Sequence, residues 1–449
     1  MNGARVTVVG GGLAGITAAL SCADAGAEVT LVEVRPRLGG AAYSFERDGM
    51  ALDNGQHVFL RCCTAYRALL DRLGSASSTT LQPRLEIPVI APGGRVEWLR
   101  RTSLPAPLHL SGALARYGHL SVRERAGAAR TALALARLEL DDPRLDEETF
   151  GGWLAGRRQS PAAVDALWNL IALPTLNLGA DQASLAMAAF VFQTGLLNDP
   201  SAGDVGYARL PLSAIHGDPG ERALRAAGVD VRTGWRAERL EVAAGEFTVS
   251  GAGETLESDA VIVALPHTRV AGFLPEGAIS DPSRLERLGT SPIVNLHVAY
   301  DRRVTDFDLA AGVGSPIQWL FDRTTESGLS DGQHLAISLS GADREAGMSR
   351  DELREEYLPA VGRLLPRARD ARVERFEVVR EHAATFRSAP GAQRLRPGPR
   401  TQVDGLVLAG AWTATGWPAT MEGAVRSGLA AAREALRTRA ASPLAEVAA

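Results

Sequence analysis

Apolar and polar positions fall into blocks whose period changes along the chain, and the first 33 residues set the type. Val6 to Val9 are a short apolar run, the pattern of a strand buried on both faces. Small and apolar residues then recur at helical spacing from Ile16 to Asp24, and Gly26 supplies a stop. Glu28-Val29-Thr30-Leu31-Val32 repeats the strand pattern and ends at Glu33. The same alternation returns later. A helix over Leu224 to Ala227 ends at Gly228, and strands are predicted at Val229–Arg232, Glu238–Val242, Phe247–Val249 and Ala260–Leu265. Leu406 to Ala409 reads as a last buried strand, meeting Gly410 and leading into an Ala/Leu-rich helix. Strands alternating with helices predict an α/β fold around a parallel sheet.

The junction between the first strand and helix reads Gly10-Gly11-Gly12-Leu13-Ala14-Gly15. Gly10 permits the tight turn, Gly12 lets backbone reach a pyrophosphate, and Gly15 lets helix and strand pack closely. The helix N-terminus offers free N–H groups and the positive end of its dipole to phosphate. Glu33, 23 residues after Gly10, is placed to accept hydrogen bonds from a ribose and to repel a 2′-phosphate. Strand, glycines, helix, strand and terminal acid occur in order, which identifies a Rossmann-type dinucleotide site.

Composition narrows the chemistry. At about 150 residues per domain, 449 residues suggest two to three domains. All 48 basic residues are arginine, so a lysine Schiff base and a Walker phosphate lysine are both excluded. The net charge of −4 gives no reason to expect nucleic acid. Cys22, Cys62 and Cys63 have no paired spacing and the eight histidines are scattered, so neither a disulfide framework nor a metal site is expected. The chain enters its first strand at Arg5 without a charged leader or apolar signal core, and no apolar run approaches about 18 residues. The expected location is the cytoplasm, with contact to the inner face of the plasma membrane as the furthest extension.

Glu33-Val34-Arg35-Pro36-Arg37-Leu38-Gly39-Gly40 resembles the second glycine motif of the flavoprotein amine oxidase and phytoene desaturase superfamily, usually E-x-R-x-x-x-G-G-R. The resemblance implies FAD, with Val34, Arg35, Gly39 and Gly40 along its pyrophosphate; Ala41 stands where the motif has its last arginine. It further implies that Asn54, Gly55 and Gln56 pass beside the isoalloxazine ring and that Val231 meets the adenine through its backbone. Gly410 and Ala411 fall where the superfamily has G-D, and Thr420, Met421 and Glu422 begin a helix aimed at the flavin pyrimidine.

Residues 411–428 (A-W-T-A-T-G-W-P-A-T-M-E-G-A-V-R-S-G) and 52–59 (L-D-N-G-Q-H-V-F) closely resemble a narrower group, the hydroxysqualene dehydroxylases of bacterial hopanoid pathways. That resemblance implies a C30 isoprenoid substrate, hydroxysqualene, reductively converted to squalene, with squalene-pathway synthases as partners. Candidate acids are His57, whose ordinary pKa suits proton donation near neutrality, and Asp53. Trp417 is a candidate to face a cation with its ring. Each has a plainer reading: Asp53 as a turn residue, His57 as a structural histidine, Trp417 as packing. Two other functions share the cofactor, a polyisoprene desaturase and a non-catalytic flavin-binding partner in terpenoid assembly.

The FAD-binding domain is expected to be discontinuous, comprising residues 1–75, 205–275 and 381–440. An inserted α+β substrate and lipid domain would comprise 76–204 and 276–380, with 441–449 as a tail. Between Ala113 and Leu140, five arginines stand against Glu124 and Glu139 among Leu and Ala. Such a helix either lies on anionic lipid or is a solvated face of the domain.

Overall fold

The structure, a computed structural model, describes residues 3–440; the tail assigned to 441–449 lies outside the described residues. Five parallel strands form the first sheet, in the order Asp230–Thr233, Glu28–Glu33, Arg5–Val9, Ala260–Val263, Leu406–Leu408. Val8, Leu31 and Ile262 at its centre are fully buried, as continuous apolar strands require. The helix Leu13–Asp24 covers one face, and the last helix, Met421–Ala440, packs across it. Gly428 permits that crossing, since a Cβ there would stand 2.3 Å from the Ala14 carbonyl oxygen. Between its edge strand Asp230–Thr233 and Ala260–Val263, the chain makes an antiparallel meander of Ala237–Ala243, Glu246–Gly251 and Glu254–Ser258.

A second, mixed sheet has seven strands, in the order Val373–Thr385, Ser291–Tyr300, Gln333–Ser340, Trp319–Asp322, Leu309–Gly312, Glu86–Ala91, Arg95–Arg100. Its strand Ser291–Tyr300 shows how period-2 geometry builds a site. Val294, Leu296 and Val298 point to one side, into a core shared with Leu353, Tyr357 and Val361 of the helix Arg350–Leu364. Asn295, His297 and Ala299 point to the other, where Ala299 packs on Met50 and Leu52. The polar alternates of a buried strand are thereby turned toward residues 50–57. The strand Val373–Thr385 runs through the 380/381 boundary read from the sequence, so the limit between the two regions falls at a strand end and not inside it.

Helices between residues 111 and 197 form a third layer around Phe150, Trp153, Trp168 and Phe192, whose rings contact one another at centroid distances of 5.3–6.3 Å. Among the described residues, no helix is long and apolar enough to cross a membrane.

Candidate active site

The glycine turn has the geometry its sequence demands. Gly10 adopts φ 113°, and a Cβ on Gly15 would lie 1.9 Å from the Gly10 carbonyl oxygen. Gly39 and Gly40 also have positive φ and lie against this turn: the Gly39 N–H donates to the Gly11 carbonyl at 2.9 Å. A Cβ on Gly40 would stand 2.7 Å from the Cα of Gly12, so the two glycine segments pack backbone against backbone. Leu13 and Ala14 are buried in the first helical turn. Glu33 accepts the Gly11 N–H at 2.7 Å and the Arg35 N–H at 2.8 Å, which orients its carboxylate at the strand end. Val34 and the Arg35 side chain are exposed beside it.

The strip after the second motif is clamped to the mixed sheet. Asn295 Nδ2 donates to the Asn54 carbonyl at 2.9 Å, and His297 Nε2 donates to the Asp53 carbonyl at 3.0 Å. A carbonyl only accepts, so His297 carries its proton on Nε2 and accepts at Nδ1 from His334 Nε2, 3.1 Å away. Burial pushes His297 down to about 4 and His334 down as well, so both rings are neutral at pH 7. Asn54 is held by its own side chain: Nδ2 donates to the Ala41 carbonyl and to Glu381 Oε1, each at 2.9 Å. Tyr43 Oη donates to the same Glu381 oxygen at 3.2 Å, and the Arg37 guanidinium lies over the Tyr43 ring at 3.7 Å.

Asp53 is occupied. Its Oδ1 accepts from Ser44 Oγ at 2.6 Å and from the Leu212 N–H at 3.0 Å, while Oδ2 is paired with Arg323 Nη2 at 2.9 Å. Both partners of that ion pair are buried, at 5% and 6% exposure. Three donors hold this carboxylate and tie the strip to Arg323, a structural role beside the acid role expected from the sequence. His57 lies on a small cavity between this strip and Tyr207, Phe321 and Arg323. Burial lowers its pKa, and the nearby charges of Asp53 and then Glu381 act in the opposite direction.

The C-terminal motif loop is organised by a residue the sequence does not single out. Arg396 is 3% exposed and its guanidinium donates to the carbonyls of Ala411, Trp412, Thr413 and Trp417 and to Thr415 Oγ1. Without a carboxylate partner in contact, burial pulls it down to about 10. One fork thus holds residues 411–417 in a fixed loop before the last helix. Gly410, at φ 143°, closes the preceding strand, and its N–H donates to Ser427 Oγ at 2.8 Å. The Trp417 ring packs edge-on to Phe190 at 5.2 Å and lies 5.0 Å from the Arg426 guanidinium carbon. Thr420 caps the last helix, accepting the Gly423 N–H at 3.1 Å, while the Met421 N–H heads the first turn.

Glu422 and Val231 each make structural contacts of their own. The Glu422 carboxylate accepts the Ala65 and Tyr66 N–H groups at 3.1 and 2.7 Å and pairs with Arg426 at 2.7 Å. It caps the helix Thr64–Leu73. Val231 pairs with Leu31 in mid-strand, and its carbonyl accepts from Arg225 Nη2 at 3.2 Å. Thr233 is the residue level with Glu33. Sequence reasoning also passed over Asn295, Glu381 and Arg37, whose chemistry emerges only where distant segments meet.

The residues fit FAD. Three polar atoms buried around the strip and the second motif have no partner: Arg37 Nη1, Gln56 Nε2 and Asn295 Oδ1. Buried polar atoms are rarely left unpaired, and these supply two donors and one acceptor. The phosphate oxygens of FAD accept, and its flavin edge both donates and accepts. The uncapped N-terminus of the helix Leu13–Asp24 completes a cradle for the pyrophosphate.

Comparison with known proteins agrees. The family model of flavin-containing amine oxidoreductases matches residues 13–436. The chain is 29% identical to hydroxysqualene dehydroxylase of Rhodopseudomonas palustris, covering 95% of this chain and 97% of that one. It is 26% identical to a probable zeta-carotene desaturase of Synechococcus elongatus, with 97% and 99% covered. Cyclohexylamine oxidase from Brevibacterium oxydans has the same fold, with a TM-score of 0.72 at 19% identity over 97% of this chain and 100% of that one.

Proposed function

Because the chain belongs to the family of flavin-containing amine oxidoreductases and is an FAD-dependent oxidoreductase, we propose that it removes the allylic hydroxyl of hydroxysqualene reductively, releasing squalene and water. The observation that carries the proposal is the likeness to hydroxysqualene dehydroxylases along nearly the whole chain, joined to a site in which the imidazole on the cavity, His57, adjoins a strip clamped by Asn295 and His297. Residues 1–75, 205–275 and those from 386 on are assigned to the FAD domain, and 76–204 with 276–385, which keeps the strand Val373–Thr385 whole, to the substrate domain.

Gly12, Gly39, Gly40, Glu33 and Arg37 would hold the pyrophosphate and ribose, and Gln56, Asn295 and the N-terminus of the last helix the flavin. Reduced FAD supplies hydride when bound. The leaving hydroxyl takes the C–O electron pair and a proton, departing as water, and the allylic carbon receives the hydride pair. His57 is the group assigned to deliver that proton. Neutral His297 and His334 place no positive charge behind the strip, so they do not oppose the cation formed as water leaves. Trp417 is assigned a loop-packing role, its ring engaged by Phe190 and Arg426.

The test is anaerobic: hydroxysqualene is added to the reduced FAD-loaded protein. Flavin reoxidation with one squalene formed per flavin is expected. A loss of less than tenfold in turnover for His57→Ala would remove His57 as the acid. Reduction of the oxidised protein by a polyene, with no reaction toward hydroxysqualene, would transfer the assignment to the desaturase reading that the Synechococcus relative favours.

A further inference from the structure

The helix Val122–Leu135 carries an unusual outward side. Val122, Ala126, Arg130 and Leu133 are exposed at spacings of four, four and three, one stripe of a helix, and Arg137 and Leu140 continue it past the end. The opposite side is anchored: Ala128, Thr131 and Leu135 are buried, and Gln193 Nε2 donates to the Leu135 carbonyl at 2.9 Å. Val122 is 74% exposed and Leu133 45%, while Leu104 and Leu108 in the preceding segment stand at 48% and 55%. Of the nine large apolar side chains exposed among the described residues, five fall within 104–140, which makes this a concentration and not scatter.

The charge is as one-sided as the apolar pattern. Over 104–140, the span of those apolar side chains, five arginines stand against Glu139, at the far end, and Glu124. The Glu124 carboxylate is consumed locally, accepting the Ser121 N–H and hydroxyl at 2.8 and 2.7 Å and the Ser160 hydroxyl at 2.5 Å. Arg101 is paired with Asp204, but among the described residues Arg116, Arg123, Arg130 and Arg137 have no ion-pair partner. A solvated helix face ordinarily interleaves both signs. Exposed aliphatic side chains between unpaired guanidinium groups suit a surface that is apolar beneath and anionic above, which is a lipid bilayer with acidic headgroups.

We propose that this face docks the protein on anionic membrane, with the aliphatic side chains entering the headgroup boundary and the arginines meeting lipid phosphates. The proposal stands on the surface alone. Its test uses no substrate, so its failure leaves the assigned reaction untouched.

FAD-loaded full-length protein is floated with phosphatidylcholine vesicles containing about 30% phosphatidylglycerol, and with pure phosphatidylcholine vesicles. Binding is expected on the anionic vesicles and should weaken as salt is added. The triple variant Arg123→Gln, Arg130→Gln, Arg137→Gln should lose on the order of 100-fold in partitioning, the product of about fivefold for each arginine near the surface. Val122→Ser with Leu133→Ser should weaken binding at all salt concentrations. A control with the same charge change elsewhere, Arg222→Gln, Arg236→Gln, Arg239→Gln, should bind as the parent does; these three are exposed on other elements. Equal losses in both triple variants, or equal binding to neutral vesicles, or no binding at all, overturns the proposal. Retained visible flavin absorbance in each variant certifies that it is folded.

Discussion

Replacing Asp53 by asparagine separates two roles that the sequence leaves open, a proton donor and a buried strut. The substitution keeps Oδ1 for Ser44 and the Leu212 N–H but puts an amide where Oδ2 meets Arg323 Nη2 at 2.9 Å. With both side chains no more than 6% exposed, solvent does little to relieve the unpaired guanidinium. Glu326 Oε1, 3.5 Å from Arg323 Nη1, offers partial compensation. Breaking one side of such a pair costs about 3–5 kcal/mol, and Arg323→Met should cost a similar amount. The double variant Asp53→Asn, Arg323→Met should recover about 2–3 kcal/mol of the summed losses, because neither charge is then buried alone. Urea midpoints of the apoprotein measure this, so that bound FAD does not shift the equilibrium. Turnover is then measured per flavin-loaded molecule and should stay within about tenfold of the parent. A midpoint unchanged to within about 1 kcal/mol, together with a hundredfold loss of turnover, would refute the strut and return Asp53 to the chemistry.

Other outcomes follow from single contacts. Gly15→Ala drives a Cβ to 1.9 Å from the Gly10 carbonyl oxygen; the purified variant should lack visible flavin absorbance, whereas normal FAD content would show that the turn can open. Arg396→Met leaves the Ala411, Trp412, Thr413 and Trp417 carbonyls without their donor, so FAD affinity by equilibrium titration should fall on the order of 10–100-fold. Lysine should rescue little, because an ammonium lacks the planar fork; full rescue would count against the loop-holding role. His216 and His297 are pushed down by burial to about 3 and about 4. Between their folded values and the ordinary 6.5 the unfolded chain binds more protons, so stability should drop as pH falls below about 6.5, by roughly 1.4 kcal/mol per pH unit for each ring. Urea midpoints that stay flat from about pH 7 to 5 would contradict the burial of both rings.

Local sequence was enough for everything that depends on neighbours along the chain. Continuous apolar runs have few alternatives to buried parallel strands, and four of the five strands in the first sheet lie within a residue of their predicted places, Ala260–Val263 ending two residues early. The glycine turn, Glu33 and the Thr420 cap likewise depend on spacing within one turn or one loop, and motif resemblance carried the cofactor with them. What sequence could not settle was which polar groups would be consumed by partners hundreds of residues away. Asp53 reads as a candidate acid and Glu422 as a cofactor residue, yet Arg323 in one case and the N-terminus of the helix Thr64–Leu73 in the other engage their oxygens. Arg396 lies outside every motif, and only folding brings the loop 411–417 around it. Asn295 and Glu381 belong to strands of a sheet that closes across segments 86–385, and a side chain's face in such a strand is decided by register against distant neighbours. A one-residue slip would have turned Asn295 and His297 into the apolar core. Tertiary packing alone set that register, and with it the wall that faces the strip.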